Sequence, residues 1–155
     1  MRRPTKPSTL APELERQTAV ELFNFVWTLL EKDERSEPES EVMVHAAHAS
    51  RFHWQEPGEP VHHARGEWQI SRVYAVLGRP EPALHHAERC LELCTEHGIG
   101  DFDLAYAYEA LARARAVAGE ADASTRFVEL ARRSSDAIAD PDDREHFLGD
   151  LATIP

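Results

Sequence analysis

The chain has 155 residues, 42% of them hydrophobic and 29% charged, which suffices for one ordinary core and leaves too little for two. Acidic side chains outnumber Lys plus Arg by 28 to 17. Three of the basic ones (Arg2, Arg3 and Lys6) fall in the first nine residues, leaving fourteen against 28 in the rest. Such a body repels phosphate backbones, so nucleic acid is not an expected partner.

Only Cys90 and Cys94 carry thiols, too few for a disulfide framework and compatible with a reducing, cytoplasmic setting. Residues 1–9 begin with positive charge but have no apolar stretch behind it, which reads as a disordered tail rather than a secretory signal. Residues 10–155 read as a single helical domain. The most apolar run, Leu22 to Leu30, is interrupted by Asn24 and Thr28 and flanked by Glu21 and Glu31, so no membrane span is expected.

Glycine and proline punctuate the chain at helical intervals. The first helix is predicted to start after Ser8 or Thr9, with Pro12 just inside it, and to run to about residue 34. Its apolar residues Ala19, Leu22, Phe23, Val26, Leu29 and Leu30 recur at threes and fours. Asp33 to Glu39 reads as a solvated loop. Further helices are predicted over about 40–54, 61–77, 80–97, 101–118, 120–139 and 142–152, with no strand alternation, giving an all-α chain. Asp101 and Asp140 suit helix starts, whereas Gly78, Gly98 and Gly119 suit helix ends that need a left-handed residue. Gly66 lies inside a predicted helix at a cost of about 1 kcal/mol, which close packing against a neighbour would explain.

The third and fourth helices place Ile70, Ser71, Tyr74, Gly78, Ala83, Ala87 and Cys90 where the tetratricopeptide (TPR) repeat puts its packing residues. The pattern recurs more weakly in Leu111, Ala112, Gly119, Ser124, Val128 and Ala131. These residues resemble the TPR signature, although the two glycines are 41 apart, longer than the usual 34, with the surplus in the turn that begins at Gly98. The stretches 45–54, 64–74 and 98–114 are also similar to small stand-alone bacterial TPR-like proteins of unassigned activity. The longer repeats resemble those of bacterial peptide-sensing TPR regulators, which usually add a DNA-binding or output domain that these residues do not supply. The resemblance implies a TPR-like α-α superhelix of about three antiparallel helix pairs plus a C-terminal capping helix.

In TPR proteins the first helix of each pair lines the concave face. The corresponding positions are Arg65, Trp68 and Arg72, then Tyr106, Glu109 and Arg113, each triplet spaced i, i+3, i+7 and so aligned on one stripe of its helix. Guanidinium forks beside aromatic area suit a carboxylate or phosphate, so the expected function is a binding module whose groove holds an acidic peptide, a protein tail or an acidic small molecule. The competing reading pairs Arg72 and Arg113 with nearby acids and places Trp68 in the core.

Histidines supply the second hypothesis, since seven of the nine fall between His45 and His86. His45 and His48 share a helix face, His63 and Glu67 share a face of the next helix, and the turn between them puts His48 and Glu67 each about 9 Å from it. A zinc or iron site drawing on His45, His48, His63 and Glu67 would make a metal-dependent enzyme; otherwise these groups form a buried hydrogen-bonded pair. His86, Cys90, Cys94 and His97 line one stripe of one helix, which cannot surround a metal, so the thiols are expected in the core. The helix from Val42 to Trp54 carries Arg51 as its one charged residue and is expected to be buried. No phosphate loop, Gly-x-Ser-x-Gly elbow or other catalytic signature is present, and no catalytic residue is assigned. A third reading is a self-associating homo-oligomer using exposed apolar edges.

Overall fold

Proline opens most helices of this chain and glycine ends three of them. The computed structural model describes residues 2–4, 6 and 10–155, and among these contains seven α-helices and no strand: α1 (Pro12–Leu30), α2 (Glu37–His53), α3 (Pro60–Val76), α4 (Pro80–Glu96), α5 (Asp101–Val117), α6 (Ala121–Ser135) and α7 (Pro141–Leu151). Five of them carry proline in the first two positions, where the missing N–H has no helical partner to lose. Ser8 and Thr9, the expected start of α1, lie outside the described residues, as does much of the tail at 1–9.

The expected helix ends are met at three glycines. Gly78, Gly98 and Gly119 have φ of 71°, 62° and 79°. The residue after each donates back across the last turn: Arg79 N to Tyr74 O at 2.9 Å, Ile99 N to Cys94 O at 2.9 Å and Glu120 N to Arg115 O at 2.9 Å.

Boundaries that the pattern misplaced have local causes. α1 stops at Leu30 because the Arg35 guanidinium caps it, donating to Leu29 O at 2.9 Å and Lys32 O at 2.7 Å. α2 starts at Glu37, inside the expected loop, because Ser36 and Glu39 form a reciprocal capping box. Lys32 also binds the Glu39 carboxylate, and with Ser36 lowers its pKa to about 2. α6 stops at Ser135, short of the expected 139. Beyond it the chain turns around the buried Ile138 while Arg144 ties down the carbonyls of Ser135 and Ile138 at 3.1 and 2.9 Å. At the other end of that turn Asp140 caps α7 through the N–H groups of Asp142 and Asp143. Asp101 is not a cap but the first residue of α5, with φ of 51°, and its carboxylate accepts from Phe102 N and Ala139 N.

Each helix packs on the next, and the odd helices also touch in series, α1 on α3, α3 on α5 and α5 on α7. Two hairpins share a detail: Ser71 Oγ donates to Ala83 O at 2.7 Å, and Ser124 Oγ donates to Ala112 O at 2.9 Å. Positions 71 and 83 become 112 and 124 on adding the glycine spacing of 41, so one interhelix link recurs with donor and acceptor exchanged. The architecture is all-α with packed neighbouring helices, compatible with a helical repeat. Small residues permit the approach. At Gly66 an added Cβ would stand 2.7 Å from Arg51 Cδ, which is the packing reason expected for that glycine.

One cluster of buried apolar residues joins α1, α2 and α3 and takes in Ala83 of α4 and Ala114 of α5, and a second joins α3 through α7. Within the second, α7 is anchored by Phe147 and Leu151, whose burial is worth about 2 kcal/mol each. Cys90 and Cys94 are buried as free thiols, as their stripe suggested. α2 departs from expectation: only one face, Met43, Ala46, Ala47 and Ser50, is buried, while Val42 is 46% and Phe52 53% exposed, so scarcity of charge did not mean burial on every side. No helix among the described residues is long and apolar enough to cross a membrane.

Candidate ligand pocket

The spacing i, i+3, i+7 that marks Arg65, Trp68 and Arg72 on α3, and Tyr106, Glu109 and Arg113 on α5, aims both stripes at the same place. Glu109 is fully buried and collects three donors: Trp68 Nε1 at 3.3 Å, an Arg72 terminal nitrogen at 3.0 Å and Arg113 Nε at 2.7 Å. α7 supplies a second acid. Asp150 accepts from Tyr106 OH at 2.9 Å and from Arg72 at 3.4 Å, while Arg113 donates to Asp150 O at 3.1 Å and to Thr153 Oγ1 at 2.8 Å. Arg65 is bound by both carboxylate oxygens of Asp103, at 2.8 and 3.0 Å.

Five of the six expected groove residues therefore converge, and Arg65 stands apart at the rim with Asp103. The arginines arrive already paired, and Trp68 is buried, as the competing sequence reading had it. The acid that binds Arg72 and Arg113 is Glu109, itself named for the groove.

Ionisation follows from this pairing. Burial alone would lower Arg72, but the carboxylates of Glu109 and Asp150 outweigh it and raise its pKa. The Asp103 hydrogen bonds raise Arg65. Burial and the adjacent Asp150 charge push the Tyr106 phenol far up, so it remains a neutral donor.

Beside this polar knot lies a cavity of about 400 Å³, within the usual range for a small-ligand site. Aromatic side chains wall it: Phe23 and Trp27 from α1, Trp68 from α3, and Phe102 and Tyr106 from α5. They touch in series, with ring centroids 5.5 Å apart for Trp27 and Trp68, 5.2 Å for Trp68 and Tyr106, and 4.6 Å for Phe102 and Tyr106. Ala64 and Cys90 complete the apolar wall, and a hydrogen bond with Cys94, reinforced by burial, pushes the Cys90 thiol well up. The polar lining is Arg65, Asp103, Asp143, His146 and Asp150. Arg72 and Arg113 lie behind it.

Sequence reasoning missed the contribution of α7, having given that helix only a capping role. Asp143, His146 and Asp150 repeat the i, i+3, i+7 spacing of the two recognised stripes, so the signal was present. Phe23, one turn before Trp27 on α1, was read only as an apolar helix position, and Trp27 was not singled out.

The four histidine-site candidates do not gather. His45 is exposed, 3.9 Å from Glu41. His48 Nε2 is 2.8 Å from Tyr74 OH, and His63 Nε2 bonds Trp54 O at 3.0 Å. Glu67 is bound by Arg51 at 3.3 Å and by His86 Nδ1 at 2.6 Å, so the partner expected from His48 comes instead from α4. Burial would raise the Glu67 carboxyl, but His86 and Arg51 together hold it below the ordinary value. Among the described residues no three His, Cys, Asp or Glu side chains come together as a metal site requires. Comparison with known proteins finds no matching family model and no significant similarity to a curated protein or a solved structure.

Proposed function

We propose that this chain is a binding module of TPR-like form, in which the odd helices α1, α3, α5 and α7 line a concave face that receives a small molecule or a protruding part of a protein partner. The observation that carries the reading is the cavity itself, because residues from all four odd helices meet around one aromatic-walled space of about 400 Å³. The repeated serine–carbonyl link and the three glycine-ended helices support the repeat form. Pre-formed walls favour binding, since little ordering is left for the ligand to drive.

The acidic ligand expected from the arginines fits this geometry less well. Arg72 and Arg113 are committed to Glu109 and Asp150, and only Arg65 reaches the lining. The test is a thermal-shift screen of small organic molecules and short peptides against the wild-type chain and Phe102→Asp, which puts charge on the cavity wall. Ligands of this site raise the melting temperature of the wild type and not of the variant. A broad screen in which every stabilising compound acts equally on both would refute the reading.

A further inference from the structure

Building on the pocket reading above, we infer that the group this cavity selects is an organic cation, an ammonium carried on an apolar stem, seated among Trp27, Trp68, Phe102 and Tyr106 with Asp143 and Asp150 at its charged end. Three aspartates and one arginine line the space, a formal −2; Asp103 is taken up by a two-pronged bond from Arg65, and Asp150 already accepts from Tyr106 and, at 3.4 Å, from Arg72. Asp143 is exposed and makes no side-chain hydrogen bond or ion pair among the described residues, so its carboxylate is available at the mouth. Aromatic faces carry negative potential and attract a cation that has shed part of its water; five of the twelve lining residues are aromatic, and one of them, Trp68, already has the Arg72 guanidinium 5.3 Å from its ring centroid. An anion would meet the same faces, three carboxylates and no uncommitted guanidinium. The surplus of acids over the whole chain, 28 against 17, adds long-range attraction for positive ligands and repulsion for negative ones. A primary ammonium also donates hydrogen bonds to carboxylates, which a quaternary one cannot do.

The chemistry is shared by a free alkylamine and by a lysine side chain of a protein, and the experiment separates them. Titrate the full chain at pH 8 with n-hexylamine, hexanoate, 1-hexanol and a blocked Gly-Gly-Lys-Gly-Gly peptide, following the indole N–H signals of Trp27 and Trp68 by NMR. The amine is expected to bind at least about tenfold tighter than hexanoate, and Asp143→Asn to weaken the amine severalfold while leaving hexanol unchanged. A peptide tighter than the amine points to a protein tail as the source of the cation; the reverse order points to a small molecule. Hexanoate binding as well as the amine, or better, overturns the cationic class and leaves the pocket reading standing. Indole signals that move with none of the four probes overturn both.

Discussion

Glu109 is the acid on which the interior of this molecule depends, and removing it has a calculable cost. In Glu109→Ala three donors lose their acceptor at once. Arg113 keeps only Asp150 O and Thr153, Arg72 keeps a 3.4 Å contact to Asp150, and Trp68 Nε1 keeps nothing. Deleting one partner of a buried ion pair costs about 3–5 kcal/mol, because the surviving charge is left desolvated. Against a total stability of roughly 5–15 kcal/mol, that lowers the melting temperature by roughly 10 °C. Glu109→Gln keeps the shape and one acceptor and is expected to lose about 2 kcal/mol. The informative partner is the triple variant Glu109→Leu/Arg72→Met/Arg113→Leu, which removes all three charges together and is expected to recover most of the loss. Urea unfolding followed by circular dichroism measures each variant, with the urea slope checked for constancy. A loss below about 1 kcal/mol in Glu109→Ala would show that water reaches the site and that the pairing is not a buried one.

His63 is buried, and burial holds its pKa below the ordinary 6.5 against the opposing bond to Trp54 O. The unfolded chain therefore takes up the proton first as pH falls, so this contribution is intact above about pH 6.5 and is lost below it. Melting curves from pH 7.5 to 5.5 should fall more steeply for the wild type than for His63→Gln, and parallel curves would remove the histidine from the account. Gly78→Ala, at φ 71° with no neighbour within 4 Å, tests backbone alone and is expected to cost about 1 kcal/mol in urea unfolding. Gly66→Ala gains about 1 kcal/mol of helix propensity but must displace Arg51, so a net loss of about 1 kcal/mol is expected, and a stabilised variant would mean that Arg51 moves freely. Ser71→Ala and Ser124→Ala should each cost about 1 kcal/mol if the two links are equivalent, and unequal losses would separate the hairpins energetically.

The fold was legible to the extent that local chemistry decides it. Proline at helix starts and glycine at left-handed helix ends act within a few residues, so seven helices could be placed from spacing alone. Boundaries failed where a side chain from elsewhere intervened, Arg35 at the end of α1 and Arg144 after α6. Of the site, the convergence of α3 and α5 could be read because i, i+3, i+7 stripes point in one direction. The pairing of its charges could be read in part, because Glu109 stands four residues before Arg113, but the second acid could not. Asp150 lies 78 residues from Arg72, and nothing local to Arg72 signals that a carboxylate will fill the place left for a ligand. Equal depth from the turn did bring His48 near Glu67, but the carboxylate bonds to His86 of α4, whose ring stands 5.4 Å from that of His48, and an α4 residue could not be anticipated from the turn between α2 and α3.

Helix α7 both closes one side of the helical stack and provides the carboxylate that Tyr106 and Arg72 bind and the main-chain carbonyl that Arg113 reaches. Lengthening the protein by another hairpin beside α5 and α6 would push that helix away, leaving Tyr106 without its acceptor and Arg72 and Arg113 with Glu109 alone, so growth in that direction is penalised by the interior. The α1–α2 side carries no such obligation. Leu14, Phe25, Val42 and Phe52 lie open there, and new neighbours on that side would leave Asp150 in place.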